Sequence, residues 1–515
     1  MAAYELGSAR SYYGMSESIP YEQPPQKPPS GCRTALVIAA IVFGVLISVA
    51  VVAAIVLVFM QELRVPYYES GVSYPRYNQI SYPKAGVDRQ PTVFLWIWDK
   101  ANNATKLLLP PEELFGLDDA YYLFSASWLR YVREDGSQME VLSAVWSNRL
   151  QNEVFISLCT YESSQCVLNH RQSFTVNNKS LWAEPTDFRI RFQSKTGYFV
   201  VLPHVQADRH HVLAELNESV QFDLPSVKFM QITLDDRFES SVRLILPPEL
   251  DPTLPIKYPL LVLVYAGPGS NAAKAQTPWS LLTYFASKRR YVIACIDGRG
   301  SGGRGWDVKG PIYRNLGGPE VDDQIATVTK LKQLLPYLDD KAVGVFGWSY
   351  GGFVSAHIAA RDAGRTFPCV AAIAAVTDYR LYDTAYTERY MGLVGNNTSG
   401  YERSNVLKNI TGFQHVDFLL AHGEADDNVH YQNSALLAYA LQEHNVHYQN
   451  SALLAYALQE RGIHFRQLVY TNQDHSIATA RPHLYRELDM FFDECFKTSS
   501  TANTEPSSSV APFTT

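Results

Sequence analysis

Ser349 lies in the stretch VFGWSYGGF (Val345–Phe353), a G-x-S-x-G pattern. A serine between glycines at a sharp strand-to-helix turn can serve as a nucleophile, because larger neighbours would clash with the turn. Its hydroxyl needs a base to accept the proton and an acid to orient that base. In hydrolases built on such an elbow, the acid and then the base follow the serine along the chain. The stretch DFLLAHGEADD offers Asp426 or Asp427 as the acid, and FRQLVYTNQDHSI offers His475 as the base. The chemistry expected is acyl transfer by a serine, an acid and a histidine, with no metal and no cofactor.

These residues need a scaffold. From about residue 235 to 498 apolar strands alternate with helical segments: SVRLILP, YPLLVLVYAG, RYVIACIDG, AVGVFGW, CVAAIAAV, VDFLLAHG and FRQLVYT. Continuous apolar strands bounded by helices predict a doubly wound, largely parallel sheet covered on both faces, an α/β-hydrolase domain. The elbow fits this scaffold, with KAVGVFG as the strand before Ser349 and GGFVSAHIAARDAG as the helix after it. The stretch RPHLYRELDMFFDECF reads as a closing helix.

Residues 65–230 have a different texture. Short alternating runs such as TVFLWIW, EVFISLCTY and GYFVVLPHV are separated by the turn clusters DKANNA, REDGSQ and TVNNKS. This is an all-β pattern, sandwich or propeller, with room for about four propeller blades. Residues 1–33 lack apolar periodicity and read as a disordered cytosolic tail, and residues 499–515 as a second disordered tail.

Residues 34–60 carry no charge and exceed the roughly 20 residues that cross a bilayer. Lys27 and Arg33 precede this span and Arg64 follows it, a positive-inside bias. Asn-x-Ser/Thr sequons at Asn103, Asn178, Asn217, Asn396, Asn397 and Asn409 all follow it. Cys159 and Cys166, seven apart between strand-like runs, have the spacing of a hairpin disulfide. Cys295 reads as a buried strand thiol, and Cys32 sits at the membrane edge. The expectation is a single-pass type II protein of the plasma membrane with its body outside the cytosol. The net charge of −7 and the absence of basic blocks argue against nucleic acid as a partner.

The stretches YPLLVLVYAGPGS, IDGRGSGGRG, GWSYGGF, YDTAYTERYMG and HGEADDNVHYQ resemble the prolyl oligopeptidase family, and within it the dipeptidyl peptidase IV and fibroblast activation protein group. ISYPKAGVDRQPTV resembles the later blades of that group's propeller. The resemblance implies a serine peptidase that cuts peptides after Pro or Ala in second position. It implies Ser349 as nucleophile, Asp426 as the acid and His475 as the base. Tyr265, with the backbone N–H of Tyr350, matches the oxyanion site. Tyr382 and Tyr386 match the aromatic walls of the proline pocket, completed by Tyr350, Val376 and Val429. Asn428 matches a side chain that contacts the substrate backbone. Cys369 and Cys495 match a family disulfide. A homodimer and contact with membrane lipid are further implied.

The chain also departs from this family. The early blades that carry a glutamate pair for the substrate amino terminus have no counterpart, and Glu112-Glu113 does not match that element. Residues 428–443 recur letter for letter as 445–460, the mark of a recent duplication or of a fault in assembling the sequence. As helix, the extra copy would add about 25 Å between the acid and the base. The alternatives are therefore a catalytically impaired accessory protein of the membrane, or a lipase or esterase.

Overall fold

The computed structural model of the chain describes residues 64–68, 77–115, 120–132, 137–176, 178–192, 198–201, 224–275, 280–442 and 465–501. The expected membrane span, Cys32, Asn217 and the second tandem copy lie outside the described residues. Among the described residues no helix is long and apolar enough to cross a membrane.

The N-terminal part is all β. Strands β1 (Arg64–Tyr68) and β2 (Tyr77–Ser81) pair antiparallel, as do β3 (Leu95–Asp99) and β4 (Ala104–Leu108). Strands β5 (Tyr121–Val132), β6 (Gln138–Asn148), β7 (Glu153–Cys159) and β8 (Val167–Ser173) form a four-stranded meander, the unit of a propeller blade. Its second strand is buried on both faces. Leu142, Ala144 and Trp146 enter one small core, and Val141 and Val145 enter another. The Cys159–Cys166 disulfide ties the end of β7 to the segment leading into β8. Two short hairpins follow, β9 (Thr175–Val176) with β10 (Lys179–Ser180) and β11 (Arg189–Phe192) with β12 (Tyr198–Val201).

The C-terminal part is one eight-stranded sheet. Its strands are β13 (Ser226–Thr233), β14 (Glu239–Leu246), β15 (Tyr258–Val264), β16 (Val292–Asp297), β17 (Leu338–Trp348), β18 (Cys369–Ile373), β19 (Asp417–Gly423) and β20 (Phe465–Tyr470). The order is β13-β14-β16-β15-β17-β18-β19-β20, antiparallel at the first two pairings and parallel from β16 onward. All seven strands expected from the apolar runs are present. On one face pack α1 (Pro319–Leu334) and α2 (Tyr350–Asp362), through Val321, Val328, Phe353 and Ile358. On the other packs α5 (Arg481–Thr501), through Leu484, Leu488 and Phe492. Between these in the chain lie α3 (Thr384–Met391) and α4 (Gln432–Gln442), the latter in the first tandem copy.

Two boundaries differ from the sequence expectation. The hydrolase sheet begins at Ser226, not near 235, because β13 is an edge strand. Val227 and Phe229 stay exposed and Ile232 is the one buried position of the strand, so it lacks the continuous buried apolar run of the inner strands. The closing helix continues to Thr501, past the expected start of the tail. It is anchored by the Cys369–Cys495 disulfide and by the Arg289–Asp489 ion pair.

Candidate active site

The elbow between β17 and α2 is built by steric exclusion. Ser349 sits at φ 60°, ψ −116°, a strained conformation for a residue with a side chain. A Cβ on Gly347 would lie 2.3 Å from the backbone of Gly351. A Cβ on Gly351 would lie 2.2 Å from the Val264 carbonyl oxygen. Only glycine at both places lets the turn close and present Ser349 at the C-terminal edge of the sheet. The Trp348 indole N–H donates to the His475 carbonyl at 2.9 Å, so the residue before the serine holds the histidine's backbone.

Asp426 lies in the loop after β19, and its carboxylate is buried. Oδ1 accepts the backbone N–H groups of Asn428 (3.0 Å) and Val429 (2.9 Å). Oδ2 accepts His475 Nδ1–H at 2.7 Å and His422 Nε2–H at 3.1 Å. Burial alone would raise the carboxyl pKa, but the bonds from His422 and His475 outweigh it and bring it to about 2. The neighbouring Asp427 is exposed. The His475 imidazole follows β20 and is 23% exposed. Among the described residues no hydrogen bond joins Ser349 to His475. Such bonds commonly tighten when substrate is bound.

Tyr265 follows β15 at the edge of the site, its ring centroid 6.1 Å from that of Tyr350. A Cβ on Gly267 would lie 2.8 Å from the Tyr265 ring. Desolvation holds the Tyr265 pKa above its ordinary value, so the hydroxyl stays a donor. The Tyr350 ring is fixed by a bond from its hydroxyl to Glu320 Oε1 at 2.8 Å. Glu320 is fully buried, which raises its pKa to about 7.

Tyr382 and Tyr386 meet edge to face at 5.4 Å, and Tyr386 meets Tyr390 at 4.7 Å. The Tyr382 hydroxyl donates to Asn428 Oδ1 at 2.6 Å, which turns the Asn428 amide N–H group away from it. Val376 and Val429 are buried.

The helix that carries Tyr386 rests on the β part. Arg149, between β6 and β7, makes a bidentate pair with the buried Glu388 at 2.7 and 2.9 Å. Gln151 donates to the Ala385 carbonyl and accepts from Arg389 Nε, both at 2.6 Å. The segment after β2 also straps the site. Thr384 N–H donates to the Pro83 carbonyl, Ala85 N–H to the Tyr382 carbonyl, and the Tyr82 hydroxyl to the Asn428 carbonyl.

The expected residues are therefore placed around one edge of the sheet, and Glu112 and Glu113 are exposed on a short helical turn. Sequence reading missed Glu320, His422 and Arg149. The first two stand inside quotable stretches, LGGPEVDD and LLAHGEADD, but their burial has no local signal. Of the sequons, Asn103, Asn178, Asn396 and Asn409 are exposed. Asn397 is engaged, its side-chain amide donating to the Arg314 and Met391 carbonyls.

The strand order and the serine elbow define an α/β hydrolase. Residues 279–447 and 443–499 match the model of the prolyl oligopeptidase family, and residues 60–233 match that of the dipeptidyl peptidase IV N-terminal region. The chain belongs to the prolyl oligopeptidase family, in its dipeptidyl peptidase IV group. The peptidase match breaks in two at the tandem copy, as expected where the family has room for one copy. The chain is 30% identical over 561 residues to dipeptidyl peptidase family member 2 of Caenorhabditis elegans, covering 85% of this chain and 65% of the relative. That alignment is longer than the chain, so the relative carries residues with no counterpart here. Venom dipeptidyl peptidase 4 of Vespa velutina is 39% identical over 279 residues, which is 54% of this chain and 33% of that protein. The chain thus spans from a third to just under two thirds of these relatives. The crystal structure of Porphyromonas gingivalis dipeptidyl peptidase 4 shares the fold, with a TM-score of 0.62 and 24% identity over 84% of this chain and 71% of that one. A dipeptidyl aminopeptidase IV structure from Bacteroides ovatus gives 0.63 and 20% over 84% and 74%.

Proposed function

We propose that the chain is a serine peptidase of the dipeptidyl peptidase type, cutting after Pro or Ala in second position. The observation that carries this reading is the seating of His475 against a buried Asp426 carboxylate beside the Ser349 elbow. In the proposed reaction His475 Nε2 takes the Ser349 proton as Oγ attacks the scissile carbonyl. Asp426 keeps the proton of the imidazole on Nδ1 and stabilises the imidazolium that forms. The Tyr265 hydroxyl and the Tyr350 N–H receive the oxyanion. The imidazolium then protonates the leaving amine, and water repeats the sequence on the acyl-enzyme. A pocket walled by Tyr382, Tyr386, Tyr350, Val376 and Val429 suits proline, a compact apolar ring with no N–H to satisfy.

The two disulfides and the exposed sequon asparagines support an oxidising compartment. With the apolar residues 34–60 this supports the reading of a type II protein of the plasma membrane, with a family-like homodimer as a further expectation. The relatives named above are dipeptidyl peptidases by name, and none supports the accessory-protein alternative. Hydrolysis of Gly-Pro and Ala-Pro chromogenic substrates tests the reading. Turnover by the full chain that is lost in Ser349→Ala supports it, and equal background hydrolysis by both chains refutes it.

A further inference from the structure

Asp426 serves two imidazoles, and the proposed reaction uses one. The other is His422, at the end of β19 and 1% exposed. Its Nε2 lies 3.1 Å from Asp426 Oδ2 and 2.7 Å from the Val429 carbonyl oxygen. Both of these are acceptors, so Nε2 must carry a proton. Its Nδ1 lies 2.7 Å from the hydroxyl of Ser434, which is fully buried in the first turn of α4. The ring meets Tyr431 edge-on at 5.7 Å.

We propose that His422 is a positioning residue of the catalytic set, holding the Asp426 carboxylate and the Val429 backbone in register through one shared N–H. The inference rests on the peptidase reading above. Its physical content is the fate of Oδ2 during turnover. Oδ1 is fixed by two backbone N–H groups, whereas Oδ2 would otherwise be held by His475 alone. That imidazole gains and loses a proton and must serve first the serine and then the leaving group. A second donor keeps the carboxylate plane constant while the first changes partner geometry. The same donor fixes the carbonyl of Val429, whose side chain is assigned to the proline pocket, so acid and pocket share one reference point. Ser434 sets the ring's orientation from α4, which gives the first tandem copy a direct part in the site.

The test compares His422→Ala, His422→Gln and Ser434→Ala in the full chain. With Ala, the expectation is a fall in kcat of about tenfold to a hundredfold with a smaller change in KM, as one donor to a buried charge is lost. Gln returns an N–H donor and should recover most of kcat. Ser434→Ala should fall between Gln and the wild type. A second readout is the low-field proton resonance of His475 Nδ1–H, which should shift or broaden with Ala and return with Gln. Thermal melts check that each variant is folded. Wild-type kcat and an unchanged resonance in His422→Ala overturn the inference while leaving the peptidase reading intact. A wild-type chain without turnover sinks the peptidase reading instead, and the resonance still decides whether His422 positions the acid.

Discussion

The two parts of the molecule hold themselves together differently. The C-terminal sheet buries apolar residues on both faces in two large cores, and β16 is buried at every position. The β part is divided among separate small sheets over two small cores, and it leaves Phe94, Trp96 and Trp98 more than half exposed. What it gives the site is a set of directed hydrogen bonds and one buried aromatic anchor, Trp182, which meets Tyr390 of α3 edge-on at 5.3 Å. Arg149, Gln151 and the strap from Tyr82 to Gln90 grip α3 and the Asn428 loop through directed hydrogen bonds. Strands packed into the C-terminal cores carry Ser349, Asp426 and His475 at or just beyond their ends, and hydrogen bonds within that part orient the last two. Contacts from the other part, polar at Arg149, Gln151 and Tyr82 and apolar at Trp182, brace α3 and the Asn428 loop. Chemistry and substrate fit therefore rest on separable foundations, and substitutions should separate them.

The largest effect is expected at the acid. Asp426→Asn should lower kcat by about 10⁴, as expected when the histidine is left in the wrong tautomer. Asp427→Asn should leave proton transfer intact, since Asp427 is exposed. Steady-state kinetics of the two variants decide, and the reverse pattern would move the acid to Asp427.

Next is the polar grip. Arg149→Met leaves Glu388 buried without its cation and should cost about 3–5 kcal/mol of stability. Denaturant melts measure this, and the double variant with Glu388→Gln should recover much of the loss. KM for a Gly-Pro substrate should rise in Arg149→Met more than kcat falls. A loss confined to kcat would show that the β part reaches the chemistry itself.

A smaller effect depends on pH. Glu320 has a folded pKa of about 7 against an ordinary value of 4.5, so the folded state keeps a proton that the unfolded state has released. Stability should thus fall as pH rises through that window, by up to about 3 kcal/mol in total. His357 has the opposite sign. Burial lowers its pKa from 6.5 to about 3, so its contribution is lost as pH falls below 6.5. The Glu320 slope is isolated by comparing Glu320→Gln with the wild type at each pH. Parallel stability curves would place the raised pKa elsewhere.

Much of the C-terminal part could be read in advance because strands buried on both faces are continuous apolar runs, and the elbow glycines are required by steric contact. The edge strand β13 escaped notice because it is mostly exposed and carries no continuous apolar run. Arg149 and Glu388 were illegible for another reason. They lie 239 residues apart, and a charged residue beside a turn or on a helix looks like ordinary surface until its partner is known. His422 was closer to view, since it is four residues before Asp426, but a strand-end histidine announces nothing without the acceptors that face it.

In the proposed reaction the chemistry belongs wholly to the C-terminal part and is centred on Ser349. Its most direct test is to react the full chain with a fluorophosphonate probe and to locate the adduct by peptide mass spectrometry. One adduct is expected, on Ser349, absent in Ser349→Ala and formed at close to the wild-type rate in Arg149→Met. An adduct on another serine, or no adduct on the folded wild-type chain, would contradict it.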